Sequence, residues 1–445
     1  MSSPPRPTSW LDRLLRIAVY ALLLALPLGV SLLVHGDEWE LSAATLGKAA
    51  PLLGFGLVTL QFALSARLVW GERPFGLDRV YRFHKAMGAL GVALLLAHPV
   101  LLALGGHAPG LLSDLRAPWY LWTGKTTLLL AVGLGLVAGF RAALRLPFHR
   151  WRPAHGLVAA AVLIGGPVHA LGASADLHHP AIRIVVLALA LGALATYARY
   201  RLSPSVSGRT PNYRIEALNR ETPDAWTLTL APRDGASIDP GLPGQFRFVW
   251  LRLPSLGGED HPFTVASAPD ASGRLSFTVK GSGDFTQHIH RAAPGDPACL
   301  SPPFGRFSYP LHPREDALVF VGGGIGITPL MSMIRHLRAT GDDREVLLLY
   351  GNRREADIAF REELAAIAAQ GPPRLRVVHV LSRPGPDWTG EVGRLERALL
   401  QRRLGDTTGK GYYVCGPPGM LQDTVRALRS LGVPSARLHH ERFVL

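Results

Sequence analysis

Four histidines recur at one interval, and no other residues in the chain are better placed to do chemistry. His84 and His98 bracket the run HKAMGALGVALLLAH, and His155 and His169 bracket HGLVAAAVLIGGPVH, each pair fourteen residues apart. At about 100° per helical residue, fourteen steps bring the second imidazole within roughly 40° of the first, and about 21 Å along the axis. Two such helices side by side set four imidazoles in two layers, His84 with His155 and His98 with His169. Two axial imidazoles per layer form the ligand set of a six-coordinate haem iron. A single histidine in an apolar helix more simply hydrogen-bonds a neighbouring helix, but a duplicated interval argues for ligation. Zinc is disfavoured, because no Cys, Asp or Glu lies in the middle of either run to complete a tetrahedral site. His107, His149, His178 and His179 fall in connecting segments and read as solvated.

The elements that must position these histidines are apolar stretches at about 14–34, 49–70, 83–104, 119–140, 154–172 and 180–200. Each approaches the ~20 residues a helix needs to cross a bilayer. The first follows a basic segment but ends in no small-residue cleavage site, so a retained helix is expected rather than a signal peptide. Connecting charge alternates: Asp37, Glu38 and Glu40 follow the first stretch, and Arg73, Arg79 and Arg82 the second. Arg141, Arg145, Arg150 and Arg152 follow the fourth, and Arg199, Arg201 and Arg209 the sixth. By the positive-inside rule both termini face the cytosol, in a plasma (inner) membrane. Trp70, Trp119, Trp122 and Trp151 sit at the expected span ends. The net charge of +14 comes with no basic run interleaved with aromatics, so nucleic acid is not an expected partner and the lipid bilayer is. Two distant cysteines, Cys299 and Cys415, define no disulfide framework and no iron–sulfur site.

Beyond residue 203 the texture becomes that of a soluble protein. Short β-rich runs (YRIEAL, WTLTLA, GQFRFVWLRL, HPFTVASA, GRLSFTVKG) predict a small antiparallel β-barrel. It carries His261-Pro262-Phe263-Thr264 and a loop running from Val279 and Lys280 through Gly283 to Thr286. A flavin dinucleotide needs an aromatic wall, a hydroxyl near its ring edge, and cations with backbone N–H groups for its pyrophosphate. From Ala317 strands and helices alternate. The run ALVFVGGGIGITPLMSMIRHL is a buried strand, a glycine loop and a helix start, suited to a phosphate. Cys415, with Gly416 and Pro417, ends a later strand where a sheet's C-terminal edge meets ligand; alone, that thiol reads equally as inert and buried.

With these motifs in hand, the soluble half resembles the ferredoxin–NADP reductase superfamily. The chain after about residue 40 looks like the ferric reductase/NADPH oxidase family, including its bacterial members. The resemblance rests on the paired histidines, on His261 to Thr264, on Gly322-Gly323-Gly324-Ile325-Gly326-Ile327-Thr328-Pro329, and on Cys415-Gly416-Pro417. It implies FAD, two b-type haems and NAD(P)H. Thr264 and Phe263 would contact the flavin ring, and His261 its phosphates or ribose; Lys280, Gly283 and Thr286 would line the FAD phosphates. Gly322 to Thr328 would hold the nicotinamide cofactor's pyrophosphate, and Cys415 would face the nicotinamide. Phe443 would cover the flavin, though it lies two residues before the end rather than at it. Ser382 and Arg383 match positions that can grip a 2′-phosphate, without deciding between NADPH and NADH.

The expected architecture is multidomain: a six-helix transmembrane haem-binding bundle (1–202), an antiparallel β-barrel FAD domain (203–312) and an α/β nucleotide-binding domain (313–445). In the implied path, electrons from cytosolic NAD(P)H pass by way of FAD to the cytosolic-side haem (His84, His155), then to the outer haem (His98, His169) and an external acceptor. Catalytic contacts would come from Phe443, Cys415 and Thr264. Arg82, Lys85 and Lys48 could pair with haem propionates or snorkel to lipid headgroups. Oxygen, giving superoxide, is the first acceptor expected and a ferric chelate the second. Two competing readings are an electron-transfer module serving a periplasmic protein and a flavin reductase with a merely anchoring membrane domain. No calcium-binding loop of the EF-hand pattern occurs, so activity is expected to be constitutive.

Overall fold

The computed structural model describes residues 10–36, 40–66, 68–106, 114–146, 148–199, 211–233, 239–253 and 257–441. Asp37, Glu38, His107, Arg201, Arg209 and Phe443 lie outside the described residues, as does the side chain of His149. The chain divides into two compact units, residues 8–207 and residues from 208 onward.

The first unit is helical: α1 (Trp10–His35), α2 (Ala43–Ser65), the short α3 (Val69–Glu72), α4 (Leu77–Leu104), α5 (Trp119–Phe140), α6 (Phe148–Ala173) and α7 (Pro180–Tyr197). Six of these are long and apolar enough to cross a membrane. The expected spans recur with shifted ends. The second begins at Ala43 rather than 49, because Ser42 and Thr45 form a reciprocal capping box that hydropathy does not register. Large apolar side chains point outward, with Leu33 at 87% and Leu129 at 73% exposure, as a lipid-facing surface requires. α2 is the most enclosed span and packs along α4; α6 packs along α5. Glycines permit both approaches. A Cβ on Gly47 would lie 3.0 Å from the Leu102 backbone nitrogen, and one on Gly172 would lie 2.6 Å from Tyr120 Cβ. The histidine-bearing helices α4 and α6 do not pack closely on one another.

The second unit opens with six strands: β1 (Tyr213–Thr222), β2 (Ala225–Pro232), β3 (Phe246–Leu253), β4 (Gly257–Thr264), β5 (Leu275–Lys280) and β6 (Pro297–Leu300). They form one antiparallel sheet in the order β4-β3-β6-β1-β2-β5. The expected barrel is not closed by a full ladder. Its outer strands meet through a single bridge, Val265 to Phe277, with the Ala266 N–H donating to the Ser276 carbonyl at 2.7 Å. Alternating inward residues (Tyr213, Ile215, Leu228, Leu230, Val249, Leu251, Phe277, Val279) make the core beneath it.

A parallel sheet follows, from β7 (Ala317–Gly323), β8 (Glu345–Asn352), β9 (Arg374–Leu381), β10 (Glu391–Val392), β11 (Lys410–Cys415) and β12 (Leu438–Glu441), in the order β10-β9-β8-β7-β11-β12. Helices α8 (Ile327–Thr340), α9 (Arg361–Gln370), α10 (Arg397–Leu404) and α11 (Pro418–Ser430) accompany it. Separate apolar clusters bury its two faces, as near-continuous Val/Leu/Tyr strands demand. The strand order reverses between β7 and β11, which makes the crevice beyond their C-terminal ends the place for a dinucleotide.

Candidate functional site

In the membrane unit, His98 and His169 are each fixed by a backbone carbonyl of the neighbouring span. His98 Nδ1 lies 2.7 Å from the Gly47 carbonyl oxygen, and His169 Nδ1 lies 2.8 Å from that of Tyr120. A carbonyl only accepts, so both Nδ1 atoms carry the proton and both Nε2 atoms keep a lone pair, the tautomer of a metal-ligating imidazole. Gly124 admits the His169 ring, since a Cβ there would lie 2.6 Å from Nδ1. The buried Nδ1 atoms of His84 and His155 make no hydrogen bond of standard geometry.

On the flavin side, β4 ends at Thr264, which is buried and paired in register with Phe246 of β3. The His261 ring stacks on Phe285 at 4.7 Å between centroids and lies nearly parallel to Phe263 at 5.8 Å. Beyond β5 the chain curls around one hydroxyl. Thr286 Oγ1 accepts from the N–H groups of Ser282 (3.1 Å) and Gly283 (3.0 Å). Lys280 pairs with Asp224 at 3.1 Å, an exposed ion pair of small energetic weight.

In the nucleotide crevice, Cys415 of β11 stands in register with Gly322 of β7. The glycines here divide into two roles. A Cβ on Gly326 would run into the Cys415 carbonyl group and lie 2.7 Å from Gly416 Cα; one on Gly416 would lie 2.6 Å from Met420 Cε. These two exist so that the β7 and β11 loops can touch. Gly324 differs, with φ +52° and nothing within 4 Å of an added Cβ, so it is the glycine that leaves room for a ligand. Its carbonyl accepts from Tyr350 Oη at 3.2 Å, from a side chain fully buried beneath the loop. Thr328 caps inward, donating to the Ile325 carbonyl at 3.0 Å. Cys415 is itself fully buried, and burial together with the Glu441 charge pushes its thiol well up, so it is held as the protonated thiol.

Ser382 and Arg383 line a pocket of about 500 Å³ with Arg353, Arg394 and Arg402. Among the described residues, Arg353, Arg383 and Arg394 make no ion pair, whereas Arg402 and Arg403 are engaged by Glu391. The two extra arginines were invisible in sequence, lying 30 positions before and 11 after Arg383. Also invisible were the ties that join barrel to sheet. Ser332 of α8 donates to the Ser267 carbonyl (2.7 Å) and accepts from the Gly244 N–H (3.2 Å). Arg335 holds Glu363 with two hydrogen bonds (2.8 and 2.5 Å) and the Ala266 carbonyl with a third at 2.8 Å.

Two family models match the chain. Residues 50–166 match the ferric reductase like transmembrane component, and residues 320–426 match the oxidoreductase NAD-binding domain. A ferredoxin–NADP reductase B of Sorangium cellulosum is 36% identical over 241 residues, spanning 52% of this chain and 96% of that protein. A flavohemoprotein of Bordetella pertussis is 32% identical over 261 residues, spanning 55% of this chain and only 64% of that protein. Among solved structures, a cytochrome P450 reductase of Amycolatopsis is 27% identical over 52% of this chain and 69% of its own, with a TM-score of 0.46.

The two glycine roles predict destabilisation of different origin. Gly326→Ala should destabilise the soluble unit by about 1–3 kcal/mol, through collision with a backbone that cannot yield. Gly324→Ala should cost about 1–2 kcal/mol of left-handed strain with no collision. Thermal unfolding ranks them, and a Gly326→Ala protein as stable as the parent would refute the packing account.

Proposed function

Because the chain belongs to the ferredoxin–NADP reductase family of flavoproteins and carries a ferric reductase-like transmembrane component in the same polypeptide, we propose that it takes electrons from cytosolic NADPH and delivers them across the inner membrane to oxygen, giving superoxide. When bound, FAD and two b-type haems would supply the conversion of a hydride's electron pair into single transferable electrons. The observation that carries this reading is the carbonyl-fixed tautomer of His98 and His169 on two helices that are held apart. His84 and His155 would hold the cytosolic-side iron, and His98 and His169 the outer one. The buried Nδ1 atoms of His84 and His155 make no hydrogen bond of standard geometry, and the His155 ring lies 4.9 Å from that of Trp151.

The remaining residues take their roles from where they stand. Phe263 and Thr264 end β4 beside the flavin ring, with His261 and the Ser282–Thr286 turn toward its phosphates. Gly322, Gly323 and Gly324 cross the nicotinamide cofactor's pyrophosphate, with Gly326, Thr328 and Pro329 setting the start of α8. Cys415, Gly416 and Pro417 form the opposite wall; the Cys415 thiol, fully buried and protonated, backs that wall and takes no proton. Phe443 is assigned the flavin-covering place on sequence alone. The three unengaged arginines beside Ser382 fit a phosphate monoester, which NADPH has and NADH lacks.

A second reading is reduction of a ferric chelate, favoured by the description of the transmembrane match. Protein supplied with haem and FAD and driven by NADPH separates the two. Superoxide dismutase-sensitive reduction of cytochrome c supports oxygen, and dismutase-insensitive reduction of a ferric chelate under anaerobic conditions supports iron. Absence of a reducible b-type absorption spectrum sinks both.

Two substitutions follow from the geometry. His98→Ala or His169→Ala should remove about half of the b-type absorbance and abolish transfer to the external acceptor, while leaving NADPH reduction of the flavin intact. A single change that removes all the haem, or none, would contradict the layered pairing. Arg383→Ala should raise the KM for NADPH by roughly 10- to 100-fold, the loss of a charge-assisted bond, with NADH kinetics little changed.

A further inference from the structure

One buried polar cluster in the soluble unit has no part in the scheme above. Glu315, just before β7, is only 5% exposed, yet no arginine or lysine pairs with its carboxylate among the described residues. Arg344 comes near and donates instead to the Glu315 carbonyl at 3.1 Å. The carboxylate accepts from Tyr413 Oη at 2.6 Å and from His439 Nε2 of β12 at 2.6 Å. His439 in turn stacks face to face on His312, with ring centroids 3.8 Å apart and planes 26° from parallel. One ligand atom from each of His312, Glu315 and His439 falls within 4.8 Å of the others. The backbone makes way for this arrangement: a Cβ on Gly411 would coincide with the Glu315 carboxylate.

A buried carboxylate requires a compensating positive charge. A divalent cation supplies that charge with the donors already gathered here, one carboxylate oxygen and two imidazole nitrogens. From these three side chains we propose a divalent transition-metal site, of the zinc class, formed by His312, Glu315 and His439. With metal–ligand bonds of about 2.1 Å, tetrahedral ligand atoms lie about 3.4 Å apart, so the cluster must close by little more than an ångström and the stacked rings of His312 and His439 must splay until their in-plane lone pairs converge. On binding, His439 releases its bond to Glu315 and the displaced ring proton moves to its other nitrogen or to solvent. Water would supply the fourth ligand. The metal would staple the segment between barrel and sheet to the edge strand β12.

The test uses full-length, tag-free protein in detergent, with haem and FAD bound and adventitious metal removed by EDTA. Zn²⁺ is titrated in competition with a chromophoric chelator. The expected result is one equivalent bound, with affinity weakened about tenfold or more in each of His312→Gln, His439→Gln and Glu315→Gln. Co²⁺ in place of Zn²⁺ should give the visible absorption of a four-coordinate nitrogen–oxygen site. His312→Gln makes the cleanest variant, because His312 contributes a stacking contact rather than a hydrogen bond to Glu315. Melting temperatures of the variants in EDTA, compared with the parent in EDTA, separate loss of a ligand from loss of the fold. Failure to take up one equivalent, or uptake that all three substitutions leave unchanged, overturns the proposal.

Discussion

A polar side chain within a bilayer must find its partner inside the protein, and the membrane unit is organised around that constraint. Two of its histidines are satisfied by backbone carbonyls on adjacent helices, which is possible only where those helices come within a glycine's reach. Gly47 brings α2 against α4 while its own carbonyl fixes His98. Gly124 and Gly172 let α5 lie on α6 so that the Tyr120 carbonyl meets His169. Close packing within each helix pair leaves α4 and α6 apart. Tight contacts and wide separation are thus two sides of one arrangement.

The soluble unit obeys a related rule at another scale. Ala266 and Phe307 of the barrel's flank share one apolar cluster with β7 and α8, and polar ties cross the same boundary. The Ser332 hydroxyl and the Arg335 guanidinium, both on α8, reach carbonyl and N–H groups of the barrel's loops. α8 therefore starts at the pyrophosphate crevice and spends its later turns gripping the flavin domain. A rigid helix with both tasks ties the position of the nicotinamide cofactor to that of the flavin.

Much of this was legible in the sequence where side-chain type alone carries the message. Unbroken apolar runs declared the six spans, and buried Val/Leu strands with glycine punctuation declared the α/β half. What escaped notice works through backbone atoms or through distance along the chain. The Gly47 and Tyr120 carbonyls have no side-chain signature. Arg353 and Arg394 converge with Arg383 only because β8, β9 and the segment before α10 share one sheet edge. The Thr286 hydroxyl, expected to face a phosphate, takes up the N–H groups of its own turn. The outer strands of the expected barrel meet through one bridge, Val265 to Phe277. Even the crevice glycines were only half understood, since most of them serve the meeting of two loops.

The carbonyl–imidazole bonds also bear on biosynthesis. Gly47 and His98 are 51 positions apart, and Tyr120 and His169 are 49 apart, so each lock closes within its own helical hairpin. Each hairpin carries two of the four membrane histidines, His84 and His98 in the first and His155 and His169 in the second. A ribosome making this chain therefore releases a first hairpin that can fold and set its tautomer before α6 has been made. Some 70 further residues (His98 to His169) must emerge before the second lock can close.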